Sequence, residues 1–92
     1  MKDKLNGNYR VKWKSDVFGD ARHESLFTYS ETACLMHRFT TTCEMIVNHI
    51  ALMGRVATVE EMEVDNGVII MERWPNDLTL IKMHWVWIEK ED

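Results

Sequence analysis

The last strand-like segment constrains this chain more than any other. Over residues 78–88, large apolar side chains recur on both sides of a period of two. Ile81, Met83, Trp85 and Trp87 fall on one side; Leu78, Leu80, Val86 and Ile88 fall on the other, interrupted by Lys82 and His84. A strand covered on one side alternates apolar with polar, whereas a strand covered on both reads as a nearly continuous apolar run. Any fold for this sequence must therefore find cover for two faces, and 92 residues provide few layers.

The rest of the chain supplies one helix and four further strands. Residues 8–14 alternate, with Tyr9, Val11 and Trp13 opposite Arg10, Lys12 and Lys14. Residues 22–29 predict a second strand after a turn around Gly19. Ser30 is the expected N-cap, its hydroxyl accepting from a free amide of the first turn. Met36, Phe39, Cys43, Ile46, Ile50 and Met53, widened by Val47, form a helical apolar stripe that ends before Gly54. His37, Thr41, Glu44, Asn48 and Arg55 fall on the other side of that helix. Thr40, Thr41 and Thr42 are weak helix formers, so packing must hold the middle turn. Residues 56–64 and 68–74 predict a hairpin about Asp65-Asn66-Gly67, because Asn and Gly tolerate positive φ. Trp74-Pro75-Asn76-Asp77 turns the chain into the final strand.

The expected architecture is α+β in the order β-β-α-β-β-β: an antiparallel sheet of about five strands with one long amphipathic helix on one face. The whole chain, 1–92, reads as one domain, with residues 1–7 and 90–92 loose at its ends. One helix covers one sheet face. The other is an expected interface, formed by Ile81, Met83, Trp85 and Trp87, or by Leu80, Val86 and Ile88 if the helix covers the Trp side, and a two-fold homodimer is an economical way to cover it.

Charge narrows the function classes. Net charge is −4, with +1 on residues 1–50 and −5 on residues 51–92, so a sequence-independent duplex binder is disfavoured. Glu60, Glu61, Glu63, Asp65 and Glu72 gather acid around the predicted hairpin, a candidate surface for a cationic partner protein; the plainer reading is a charged edge that discourages strand pairing. Arg10, Lys12, Lys14 and Arg22 are the candidate contacts for single-stranded nucleic acid, but alternation places Tyr9 and Trp13 on the face opposite those of the first strand, and a stacking platform wants rings and cations together.

Catalysis has no visible signature. Cys34 and His37 are helix neighbours, yet a metal needs further ligands, and His23, His49 and His84 show no ligand spacing. Neither the His37–Glu44 nor the His23–Glu24 pairing has a nucleophile or an oxyanion-stabilising loop near it. The four glycines are isolated, so no phosphate-binding loop is present. No metal and no cofactor are expected. Two cysteines on opposite sides of one helix, no apolar leader and no membrane-length apolar run point to a cytoplasmic protein with free thiols.

A short acidic α+β chain rich in Met and Trp resembles, in style over its whole length, the small accessory proteins that phages encode to bind host machinery. That resemblance implies an inhibitor or regulator of another protein. The residues leave two other readings open: a nucleic-acid-binding module, and a small-ligand binder or small enzyme with its pocket at a dimer interface.

Overall fold

A computed structural model describes residues 4–16, 22–52, 58–74 and 77–91, with backbone alone for 22–24 and 77–81. In chain order the elements are β1 (Lys4–Ser15), β2 (Arg22–Glu24), β3 (Tyr29–Glu31), α1 (Thr32–Leu52), β4 (Thr58–Val64), β5 (Gly67–Trp74) and β6 (Asp77–Glu91). The strands form one antiparallel sheet ordered β2-β1-β6-β5-β4, with β3 also on the outer edge of β1. Five strand positions result, because β2 and β3 share that edge. The first long strand and the last therefore lie side by side, from Asn8 opposite Glu91 to Ser15 opposite His84. The expected class, α+β with one helix on an antiparallel sheet, is the observed one.

The helix lies on the face that carries Val11, Val68, Ile70 and Val86, and its own Leu35, Ile46 and Ile50 complete the buried cluster. Each such side chain removed from water contributes roughly 1.5–3 kcal/mol. The stripe is turned from the expected one at its start. Leu35 is buried at 4% exposure while Met36 is 43% exposed. The helix follows directly from β3, which sets the side of the first turn that meets the sheet. Ser30 accordingly lies within β3, and the helix begins at Thr32, so Ser30 is not its cap. Thr42 is fully buried, and its hydroxyl donates to the Arg38 carbonyl at 2.8 Å, as Thr41 donates to that of His37. Bonding back one turn lets a β-branched hydroxyl sit in the core without an unmet donor. Met53, Gly54 and Arg55 lie outside the described residues.

Two further expectations change. The strand expected over 22–29 is broken at 25–28, where the Ser25 amide donates to the Val11 carbonyl and its hydroxyl to the Phe27 carbonyl. Leu26 and Phe27 stand exposed at that break. Residues 4–7, expected to be loose, extend β1, and Gly7 takes a φ of 115° where the register against β3 shifts. Lys90 and Glu91, also expected to be loose, are held in β6 opposite Tyr9 and Asn8.

In the β4–β5 hairpin Asn66 takes the positive φ of 65°. Gly67 is required for space instead: a Cβ there would lie 2.0 Å from the Val86 carbonyl oxygen and 2.8 Å from the Trp87 Cα. The turn at Pro75 and Asn76 lies outside the described residues.

Candidate functional site

Cross-strand register sorts the side chains between the two faces, since directly opposed residues point the same way. On the helix-free face, Met62, Ile69 and Trp85 form one row that continues to Lys14. Glu60, Met71 and Met83 form the next row, and Val64, Gly67, Trp87 and Lys12 the row on the other side. Met62 and Val64 are exposed; Ile69, Met71, Met83, Trp85 and Trp87 are half-buried. Ile81 pairs with Arg73 through its backbone, and its side chain lies outside the described residues.

This face also brings together what β1 alone keeps apart. Tyr9 and Trp13 pack against the core under the helix, as their alternation requires. Trp85 and Trp87 of β6, however, stand opposite Lys14 and Lys12, and the Lys14 ammonium sits 4.7 Å from the Trp85 ring centroid. The rings that share the cations' face thus come from the other end of the chain. The cations are nevertheless engaged by acids. Lys12 pairs with Glu89 and lies 3.4 Å from Glu91, and Arg10 lies 3.6 Å from Glu91. The hydrogen bond that Lys12 donates to Glu89 is the main reason that the Lys12 pKa is raised above its ordinary value, against a smaller opposing effect of burial. Arg22 is described in its backbone only, opposite Lys14.

The five acids expected on one surface are distributed over four places. Glu60 points to the helix-free face, 3.7 Å from Arg73. Glu61 and Glu63 point to the helix side, and Asp65 is exposed in the turn. Glu72 is no part of any acidic surface: it is 4% exposed. Strand alternation is the physical reason, because neighbouring residues of β4 face opposite ways and Glu72 shares the face of Ile70.

Glu72 belongs to a buried polar chain. His84 Nε2 is 2.6 Å from Glu72 Oε2, and His84 Nδ1 is 2.5 Å from the Ser15 hydroxyl. The Trp74 indole N–H donates to the second Glu72 oxygen at 3.0 Å. Ser15 lies directly opposite His84 and Glu72 diagonally across from it, so three strands supply the three groups. A hydroxyl, an imidazole and a carboxylate in series have the connectivity of a proton relay. Ser15 is 2% exposed and His84 1%, so the hydroxyl meets no solvent and the chain ties β1, β6 and β5 together. The one sequence sign of it was the polar break that His84 makes in the apolar face of β6.

Glu61 and Glu63 form one wall of a groove of about 880 Å³ between the hairpin and α1. Phe39, Cys43 and Val47 line the helix side, Val68 lies in the floor, and Glu44 adds a third carboxylate. No Lys, Arg or His among the described residues lines it. Burial, with smaller contributions from the charges of Glu61 and Glu44, pushes the Cys43 thiol up to about 11. Cys34 and His37 face a separate hollow beside Tyr29 and Arg38. Among the described residues no three His, Cys, Asp or Glu side chains are grouped to hold a metal ion, and no helix is long and apolar enough to cross a membrane.

The fold and these surfaces define a class: a small α+β domain with one sheet face under a helix and an apolar, charge-rimmed face that no helix among the described residues covers. Comparison with protein-family models, curated proteins and solved structures gave no match.

Proposed function

We propose that this chain is a protein-binding module that works as a homodimer, two copies pairing through their helix-free sheet faces, and that it inhibits or regulates another protein. The observation that carries the reading is the continuous apolar patch of Met62, Ile69, Trp85, Met71 and Met83 in adjacent rows of one sheet. Patches of that kind mark interfaces. At about 4.8 Å between strands and about 3.3 Å per residue, strands of 12, 3, 3, 7, 8 and 15 residues present a face of roughly 760 Å² before side-chain relief. That is comparable with the roughly 800 Å² that each partner gives to a stable complex.

Sedimentation equilibrium at micromolar concentration tests the pairing. The expected species has twice the 10.9 kDa chain mass. Trp85→Lys with Met83→Lys is expected to return it to a folded monomer. A wild-type monomer throughout the range refutes the dimer.

Lys14 over Trp85 favours a second reading, a single-stranded nucleic-acid platform. The acid partners of Lys12 and Arg10 and the net charge of −4 weigh against it. A labelled single-stranded oligonucleotide that binds wild type, and loses binding in Trp85→Ala, would put that reading first.

A further inference from the structure

The helix does not lie centrally on the sheet. It packs on β1, β3 and β6 and reaches β5 only slightly, leaving the β4 side of the same face open. The groove occupies that gap. It has apolar side chains, Phe39, Val47 and Val68, on its helix wall and floor, carboxylates on both sides, and no cation of its own among the described residues. Glu61 and Glu63 alternate on β4, so their carboxylates stand about 7 Å apart along one wall. Glu44 faces them from α1. An occupant suited to this site must offer apolar side chains inward and positive charge on both flanks.

We propose that this groove binds an amphipathic segment of a partner protein, a stretch with an apolar stripe bordered by Lys or Arg. Its apolar stripe lies on Phe39, Val47 and Val68, and its cations meet Glu61 and Glu63 on one side and Glu44 on the other. Charge complementarity names the occupant: an apolar segment alone would leave three carboxylates beside a newly dried surface, and an acidic one would be repelled. A second copy of this chain is a poorer fit, since its run of cations, Arg10, Lys12 and Lys14, lies on the helix-free face. The proposal rests on reading the chain as a protein-binding module, but it uses a different surface from the homodimer, so either can fail without the other.

Cys43 makes occupancy measurable. Its thiol lies in the groove wall, whereas Cys34 faces a different hollow and serves as an internal reference. The probe is a labelled synthetic peptide of Leu and Lys at helical spacing; its counterpart with Glu for Lys is the control. Binding is read by fluorescence anisotropy, and occupancy by the alkylation rates of the two thiols, each resolved by peptide mapping.

The Leu/Lys peptide is expected to bind, to weaken as salt rises, and to slow alkylation of Cys43 by about fivefold or more while Cys34 is unchanged. Glu61→Lys with Glu63→Lys, both exposed positions, is expected to weaken binding at least about tenfold, with an unchanged circular dichroism spectrum and the same oligomeric state. No binding, equal binding of the Glu control, or binding that leaves Cys43 unprotected each overturns the proposal. Protection of Cys43 that grows with protein concentration alone places a second copy in the groove and also overturns it.

Discussion

Replacing Glu72 by Ala removes the acceptor at the end of the buried polar chain. The loss can be worked from the contacts. Glu72 accepts from Trp74 through one oxygen and meets His84 through the other. With Ala, the Trp74 indole N–H and the imidazole lose their shared partner in a site where His84 is 1% exposed. Leaving a buried polar group unmet costs about 1–3 kcal/mol, and Glu72 serves two such groups. An expected loss of about 2–6 kcal/mol stands against a total stability of roughly 5–14 kcal/mol for a chain of this length. With a urea slope of about 1.2 kcal/mol/M, the midpoint should fall by about 1.7–5 M.

Glu72→Gln keeps one acceptor oxygen and is the gentler test, with an expected loss of about 1–3 kcal/mol. Ser15→Ala should cost a similar amount, and the double variant should depart from additivity by at least about 0.5 kcal/mol, because both act through one imidazole. Urea melts followed by Trp fluorescence, at one fixed protein concentration, measure all four. Glu61→Ala is the exposed control, with a change within about 0.5 kcal/mol. If Glu72→Ala costs no more than Glu61→Ala, the buried chain does not hold the three strands, and the assignment of Glu72 to the interior is wrong.

Two further outcomes follow from the packing. Leu35→Ala should cost about 2–5 kcal/mol and Met36→Ala less than about 1 kcal/mol, measured by the same melts; equal losses would restore the stripe read from spacing alone. Cys43 titrates near 11 rather than at the ordinary 9.0. At pH 8 it therefore carries about a hundredfold less thiolate, of which its greater nucleophilicity recovers roughly tenfold, so alkylation should run about ten times slower than for an ordinary thiol. The folded chain holds this proton more tightly than the unfolded one, so the stability it contributes is full below about pH 9 and is lost as pH rises towards about 11. A Cys43 alkylation rate in the folded protein equal to that in urea would contradict both statements.

The sequence by itself determined the kinds of element and the existence of two apolar sheet faces. Period-two runs at residues 8–14 and 78–88, a helical run ending near residue 52 and the Asp65-Asn66-Gly67 turn all act through neighbours in the chain, and the elements stand where those patterns place them. The tertiary structure decided which distant residues meet. Pairing of β1 with β6 joins residues from 69 apart (Ser15 and His84) to 83 apart (Asn8 and Glu91), and no local pattern encodes its register. That register sets Trp85 beside Lys14 and Ser15 against His84, although both pairs involve residues whose types were plain from the outset. Alternation then distributes the hairpin acids, sending Glu60 to one face, Glu61 and Glu63 to the other, and Glu72 inside. The helix stripe is the intermediate case: its period is local, but its exact azimuth comes from β3, which delivers the chain to the sheet with Leu35 rather than Met36 facing inward. Short-range patterns fix which side chains share a face of one element, and only the packing of that face against another says what they touch.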